Sequence, residues 1–194
     1  MTSDRRVDSS YHSGVSPLLV VVDMQRVFAE ADSPWFVPGC AELVPKIERL
    51  ADAFGDRAVF TRFVPFDEPQ GAWTDYYALH PFFLRPDAED LRHLVQPFAS
   101  RGVTTLDTPT FSKLGPRLEV LAGPERTIVL TGVATDCCVI STALSAADVG
   151  MRVRVVADAC AGMTIEKHRA AIAVMAGYAG HIEVTTVEEE LARP

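Results

Sequence analysis

The sequence is short of positive charge. Against 26 Asp and Glu stand 18 Lys and Arg, a formal net charge of −8 over 194 residues. No basic run interleaved with aromatics offsets it, so no nucleic-acid partner is expected. Cysteine is scarce as well: Cys40, Cys137, Cys138 and Cys160, two of them adjacent. That is too few, and too unevenly placed, for a disulfide framework, and no CxxC pair suggests zinc. Long apolar runs are missing. The β-branched run Leu18–Val22 falls far below the about 20 residues of a membrane-spanning helix, so no membrane partner is expected. The opening MTSDRRVDSSYHSGVSP is polar and lacks the apolar core of a secretory signal. A cytoplasmic protein with a small-molecule partner is the expectation.

What is present is ordinary for a globular chain: 48% hydrophobic and 23% charged residues, and a length that suits one α/β domain. Residues 1–15 read as a flexible N-terminal tail and 16–194 as a single domain. PLLVVVDM reads as a central strand of a parallel sheet, buried on both faces. Leu43, Ile47, Leu50 and Phe54 mark one helix stripe over 40–54. RAVFTRFV is a second strand. From Pro65 to Pro86 prolines and aromatics break any period, predicting a long loop, with a helix over 87–99 after it.

GVTTLDT is a weaker third strand, FSKLGPRLEVLAG holds a helical turn, and RTIVLTGV is a buried fourth strand. DCCVISTALSAADVG is a helix closed by Gly150. MRVRVVADA, TIEKHRAAIAVMAGYA and HIEVTT follow as strand, helix and strand, with one more helical turn in the tail. This alternation predicts an α/β, three-layer, doubly wound sandwich: a mostly parallel six-stranded sheet with helices on both faces. Sites in such sheets lie beyond the carboxyl ends of the strands, where Asp23, the Thr61-Arg62 region, 132–136 and Asp158 fall.

Three residues there bear chemistry. Cys138 lies in the first turn of the helix after the fourth strand, where free N–H groups and the helix dipole favour a thiolate and can hold an oxyanion. A buried inert cysteine is the plain alternative. Asp23 ends an apolar strand, where an acid needs a partner or a cleft unless it is a turn residue. Lys113, in TFSKLGP, is either a surface lysine or the cation that joins the other two. Thr135 and Asp136 read as caps of the cysteine helix.

LLVVVDMQRVF resembles the opening motif of the isochorismatase-like hydrolases, and TGVATDCCVISTALSAADVGMRVRVVADACAG resembles their second signature. The likeness spans about 17–185. It implies a cysteine hydrolase with a catalytic triad of Asp23, Lys113 and Cys138, with Cys137 the non-catalytic neighbour. It also implies a cis peptide between Val133 and Ala134 that forms an oxyanion hole from the amides of Ala134 and Cys138. The reaction implied is cleavage of a C–N bond in a small amide, carbamoyl or ureido compound through a thioester. Two alternatives stand beside it: a vinyl-ether-cleaving isochorismatase, and a catalytically silent ligand-binding or scaffold member.

Nicotinamidases of that family carry an Asp-x-His and a further His that hold a metal. The matching stretch here, TRFVPFDEPQGAW, has no histidine and His80 comes later, so neither metal nor cofactor is expected. Phe28, Arg62, Trp73, Tyr76 and Val133 are the candidate substrate-binding residues, Arg62 either as a partner for a substrate carboxylate or in a structural pair with an acid. Family members are usually dimers or tetramers, so a homodimer or homotetramer is expected, with 65–86 a candidate interface.

Overall fold

The computed structural model describes residues 16–193; the tail predicted over 1–15 lies outside them. Strand β1 (Leu18–Val22) is fully buried. Leu19 and Val21 join a core with Ile47 and Leu50 on one sheet face. Leu18, Val20 and Val22 join another with Leu118, Ala143 and Met175. An alternating strand that is apolar on both sides needs cover on both sides, which is why its sequence is unbroken by polar residues. The remaining strands are β2 (Ala58–Phe63), β3 (Thr104–Thr108), β4 (Thr127–Val133), β5 (Arg152–Ala161) and β6 (Ile182–Thr185). They form one six-stranded sheet in the order β3-β2-β1-β4-β5-β6, and every pairing is parallel. The three-layer α/β architecture expected above is the one observed. The chain leaves β1 in one direction and returns to β4 on its other side, so the switch point lies between these two strands.

The helices are α1 (Arg26–Ala29), α2 (Val44–Phe54), α3 (Ala72–Leu79), α4 (Pro116–Ala122), α5 (Ile140–Asp148), α6 (Ile165–Ala176) and α7 (Val187–Leu191). None of them is long and apolar enough to cross a membrane. The stripe over 40–54 divides into a 3₁₀ turn, Ala41–Leu43, and α2. Gly150 closes α5 as expected: its φ is +79° and its N–H reaches Ala147 O at 2.9 Å.

Two expectations are corrected. The segment predicted to be helical over 87–99 contains only short 3₁₀ turns. Its backbone is used elsewhere: Arg26 N–H donates to His93 O at 2.9 Å, Val95 N–H donates to Met24 O at 2.8 Å, and Leu94 bridges Gln25. A continuous helix would have to surrender those bonds. The loop predicted over 65–86 contains α3. Its aromatics weaken intrinsic helicity, and tertiary packing supplies what propensity lacks.

Gly132, near the end of β4, has φ +99°, and a Cβ there would sit 2.1 Å from the Val22 carbonyl oxygen. Backbone meets backbone at that point, so a side chain has nowhere to go. Gly132→Ala is expected to cost on the order of 3 kcal/mol or more. A melting curve reads this as a Tm lower by about 6–12 °C, at 2–4 °C per kcal/mol for a chain of this size. A shift under two degrees would contradict the contact.

Candidate active site

β1 ends in a sharp turn. Asp23 adopts φ +47°, a left-handed conformation that Asp tolerates better than most side chains, and Gln25 N–H donates back to Asp23 O at 2.7 Å. The turn leaves the Asp23 side chain completely buried, and two neighbours compensate it. Thr61 Oγ1 donates to Asp23 Oδ1 at 2.6 Å and accepts from the Asp23 N–H at 3.1 Å. Lys113 Nζ lies 2.7 Å from Asp23 Oδ2, and both side chains are 0% exposed. The same ammonium donates to Thr110 O at 3.1 Å and stands 5.1 Å from the centre of the Phe63 ring, a cation–π contact in a dry setting. A buried ion pair this well supplied with hydrogen bonds is expensive to assemble, and such arrangements concentrate at functional sites.

Lys113 comes from the segment between β3 and α4, and its backbone is tied to the cysteine helix. Lys113 N–H donates to Thr142 Oγ1 at 2.9 Å, and Thr142 Oγ1 donates to Cys138 O at 2.7 Å. On the other side of the switch point, β4 runs into a cis peptide at Val133–Ala134, followed by a π-type turn, Thr135–Val139, that leads into α5. Ala134 O accepts from the N–H groups of Cys137 and Val139 at 3.0 and 3.1 Å.

Cys138 sits in this turn at 4% exposure, while Cys137 beside it is partly open. A hydrogen bond with Cys137 and full burial hold the Cys138 thiol well above the usual thiol range, with the Lys113 ammonium as the opposing influence. The same hydrogen bond brings Cys137 below that range. The Asp23 carboxylate adds to the upward shift of Cys138, and the Lys113 ammonium opposes it.

Over this centre lies an aromatic layer. Trp35 packs on Phe28 (6.1 Å, stacked), Phe82 (4.9 Å) and Phe83 (4.6 Å). Trp73 packs on Phe111 at 4.8 Å and on Phe63 at 6.3 Å. The Tyr76 ring meets Trp73, Phe111 and His80. Burial pushes its phenol up, with smaller contributions from Cys137 and Cys138.

Of the residues singled out in the sequence, Asp23 and Lys113 are joined directly, and Cys138 reaches them through Thr142 and electrostatics. Phe28, Trp73 and Tyr76 belong to the aromatic layer, and Val133 is wholly buried below it. Arg62 is corrected. Its guanidinium is taken by Asp107 in a two-point pair of 2.7 and 2.6 Å, because the two residues are register partners across β2 and β3. It lines a separate recess with Arg26, His93 and Phe98.

The Thr135 and Asp136 caps are corrected too. Thr135 Oγ1 pairs with His168 Nδ1 at 2.9 Å, and Asp136 Oδ1 accepts from Met163 N–H at 2.9 Å, so neither side chain caps its own helix. Thr61 was marked only by its place at a strand end, and Thr142, Trp35, Phe63 and Phe111 went unnoticed in the sequence. Only Thr142, four residues after Cys138, carried a local signal, the i−4 hydroxyl back-bond. Among the described residues, no group of three or more His, Cys, Asp and Glu side chains could hold a metal ion. His80 Nδ1 already faces Trp35 Nε1 at 3.3 Å, so the residues present do not fit the metal that some members of the resembled family hold.

The sequence model of the Isochorismatase domain matches residues 17–189. No curated protein matches the chain. Solved structures share its fold. A cysteine hydrolase from Pseudomonas syringae pv. phaseolicola superposes with TM-score 0.79 at 21% identity, covering 90% of each chain. An isochorismatase-like hydrolase from Alkaliphilus metalliredigens gives TM-score 0.73 at 20% identity, covering 91% of this chain and 98% of that one. A nicotinamidase from Bacillus subtilis gives 0.71 at 20% identity, covering 88% and 99%.

Proposed function

Since the chain belongs to the isochorismatase family of hydrolases, we propose that it is a cysteine hydrolase that cleaves the C–N bond of a small amide, carbamoyl or ureido compound through a thioester. The observation that carries this reading is the fully buried Lys113–Asp23 pair, tied through Thr142 to the turn that bears Cys138. A pair so costly to bury has little structural purpose at a strand end. Beside a protonated thiol it supplies a base and a fixed positive charge. Two of the similar structures, named a cysteine hydrolase and a nicotinamidase, agree with the chemistry.

The Cys138 thiol gives its proton to the Asp23 carboxylate as sulfur forms a bond to the carbonyl carbon. The carbonyl electron pair moves onto oxygen, where the amides of Ala134 and Cys138 receive it, each such donor lowering the barrier by about 3 kcal/mol. Asp23 returns the proton to the leaving nitrogen and the C–N bond breaks, leaving a thioester. Water then gives a proton to Asp23 and attacks the acyl carbon, and the departing thiolate recovers that proton. Lys113 remains an ammonium throughout and balances the carboxylate.

The substrate is expected to be uncharged where it meets the aromatic layer. Arg62 is paired with Asp107 and Lys113 with Asp23, so neither offers an unpaired cation to a substrate carboxylate. Ammonia release over a panel of small amides, ureas and carbamoyl compounds tests the reading. Turnover of neutral members at least tenfold faster than of their carboxylate-bearing analogues is expected (about 1.4 kcal/mol). No release from any member by folded enzyme, with Cys138 inert to iodoacetamide, would overturn it.

A further inference from the structure

We infer that Thr142 is a positioning residue of the hydrolase, the one hydroxyl that sets the height of Lys113 against Cys138; this rests on the proposed function. Lys113 is the member of the site with the least architectural support. Asp23 ends a central strand and Cys138 opens a helix, but Lys113 rides on an irregular segment after the edge strand β3. Most of the side-chain bonds of that segment are internal: Thr110 Oγ1 donates to Ser112 O at 2.7 Å and Leu114 N–H donates to Ser112 Oγ at 3.2 Å. These shape the segment, and Phe111 packs it on Trp73 and Phe63, but neither fixes the Lys113 backbone against the cysteine turn.

Its backbone docks on the rest of the site at Thr142. That side chain is 0% exposed, accepts the Lys113 N–H at 2.9 Å and spends its proton on Cys138 O at 2.7 Å. One oxygen thus joins the backbone of the cation-bearing residue to the backbone of the nucleophile-bearing residue. The bond to Cys138 O is made within the helix, at i−4, so the oxygen moves with the cysteine and carries Lys113 with it. Valine matches threonine in shape but offers neither the acceptor nor the donor. Serine keeps both.

Thr142→Val is expected to lower kcat on the order of 10²-fold, the usual consequence of a misplacement near 1 Å, with KM changed by less than about threefold. Thr142→Ser is expected to recover most of the loss. Alkylation of Cys138 by iodoacetamide should slow in Thr142→Val and not in Thr142→Ser, because the ammonium that favours thiolate has moved. A lower Tm with kcat and alkylation unchanged would reduce Thr142 to a structural residue and overturn the inference.

Hydrogen exchange on the wild-type protein keeps the test independent of whether the valine variant folds. The Lys113 amide should be protected as strongly as the amides of α5, and rapid exchange there would also overturn the inference. Failure of the proposed function is read separately, as a wild-type protein that hydrolyses no amide.

Discussion

Cys138→Ser is expected to lower the rate of amide hydrolysis on the order of 10⁵-fold, whereas Cys137→Ser should retain activity within about tenfold. The contrast is sharp because the two thiols are neighbours in one turn and look alike in the sequence. Their surroundings separate them. Both thiols feel Asp23 and Lys113, but Cys138 is buried, and its hydrogen bond with Cys137 together with that burial raises its thiol above the usual range. Cys137 is more open and its thiol is the more easily ionised of the two in the resting protein.

Simple acidity would therefore nominate Cys137, and the tie through Thr142 to the backbone of Lys113 nominates Cys138. Acyl transfer needs the sulfur that can pass its proton to Asp23 and meet a carbonyl carbon beside the amides, which favours Cys138. Initial rates on the best amide of the panel, with each variant's Tm checked, decide the matter. Loss of activity in Cys137→Ser and its survival in Cys138→Ser would reverse the assignment.

Lys113→Met should have the largest effect on stability. It leaves the Asp23 carboxylate buried without its cation, and breaking a buried pair in this way costs about 3–5 kcal/mol. A Tm lower by about 6–20 °C is the expected reading, at 2–4 °C per kcal/mol. Thr61 still donates to Oδ1, so the loss is that of the ion partner alone. The double variant Asp23→Asn/Lys113→Met removes both charges and is expected to melt above the single Lys113→Met variant, although both are inactive. Such a pattern belongs to a pair kept for chemistry at the expense of stability. A Lys113→Met variant that melts within two degrees of wild type would contradict the buried pair.

Much of this was legible beforehand. The unbroken run Leu18–Val22, the turn to Asp23 and the long small-residue helix after Cys138 are local signals, and the α/β alternation around them is nearly deterministic. The misreadings have one cause. The segment over 87–99 has helix-compatible residues but lends its backbone to Met24, Gln25 and Arg26. The segment over 65–86 looks like a loop but folds a helix against Trp35, Phe63 and Phe111. Arg62 stood at a strand end, where a substrate ligand was expected, yet its register partner Asp107 claims it. In each case the deciding partner lies far away in sequence.

Composition, periodicity and two long motifs determined by themselves the fold class, the strand ends at which chemistry could occur, and the residue types placed there. Those properties depend on neighbours within a few positions. The tertiary structure alone decided that Lys113 is buried against Asp23, that one threonine oxygen joins it to the cysteine turn, and that an aromatic layer covers the centre. These depend on the crossing from β1 to β4 and on the docking of an irregular segment, and no local pattern encodes a contact of that range. The physical reason is the free energy of burial. A charge is tolerated inside only where its partners arrive from elsewhere in the chain, so the contacts that hold the site's charged residues appear only after folding.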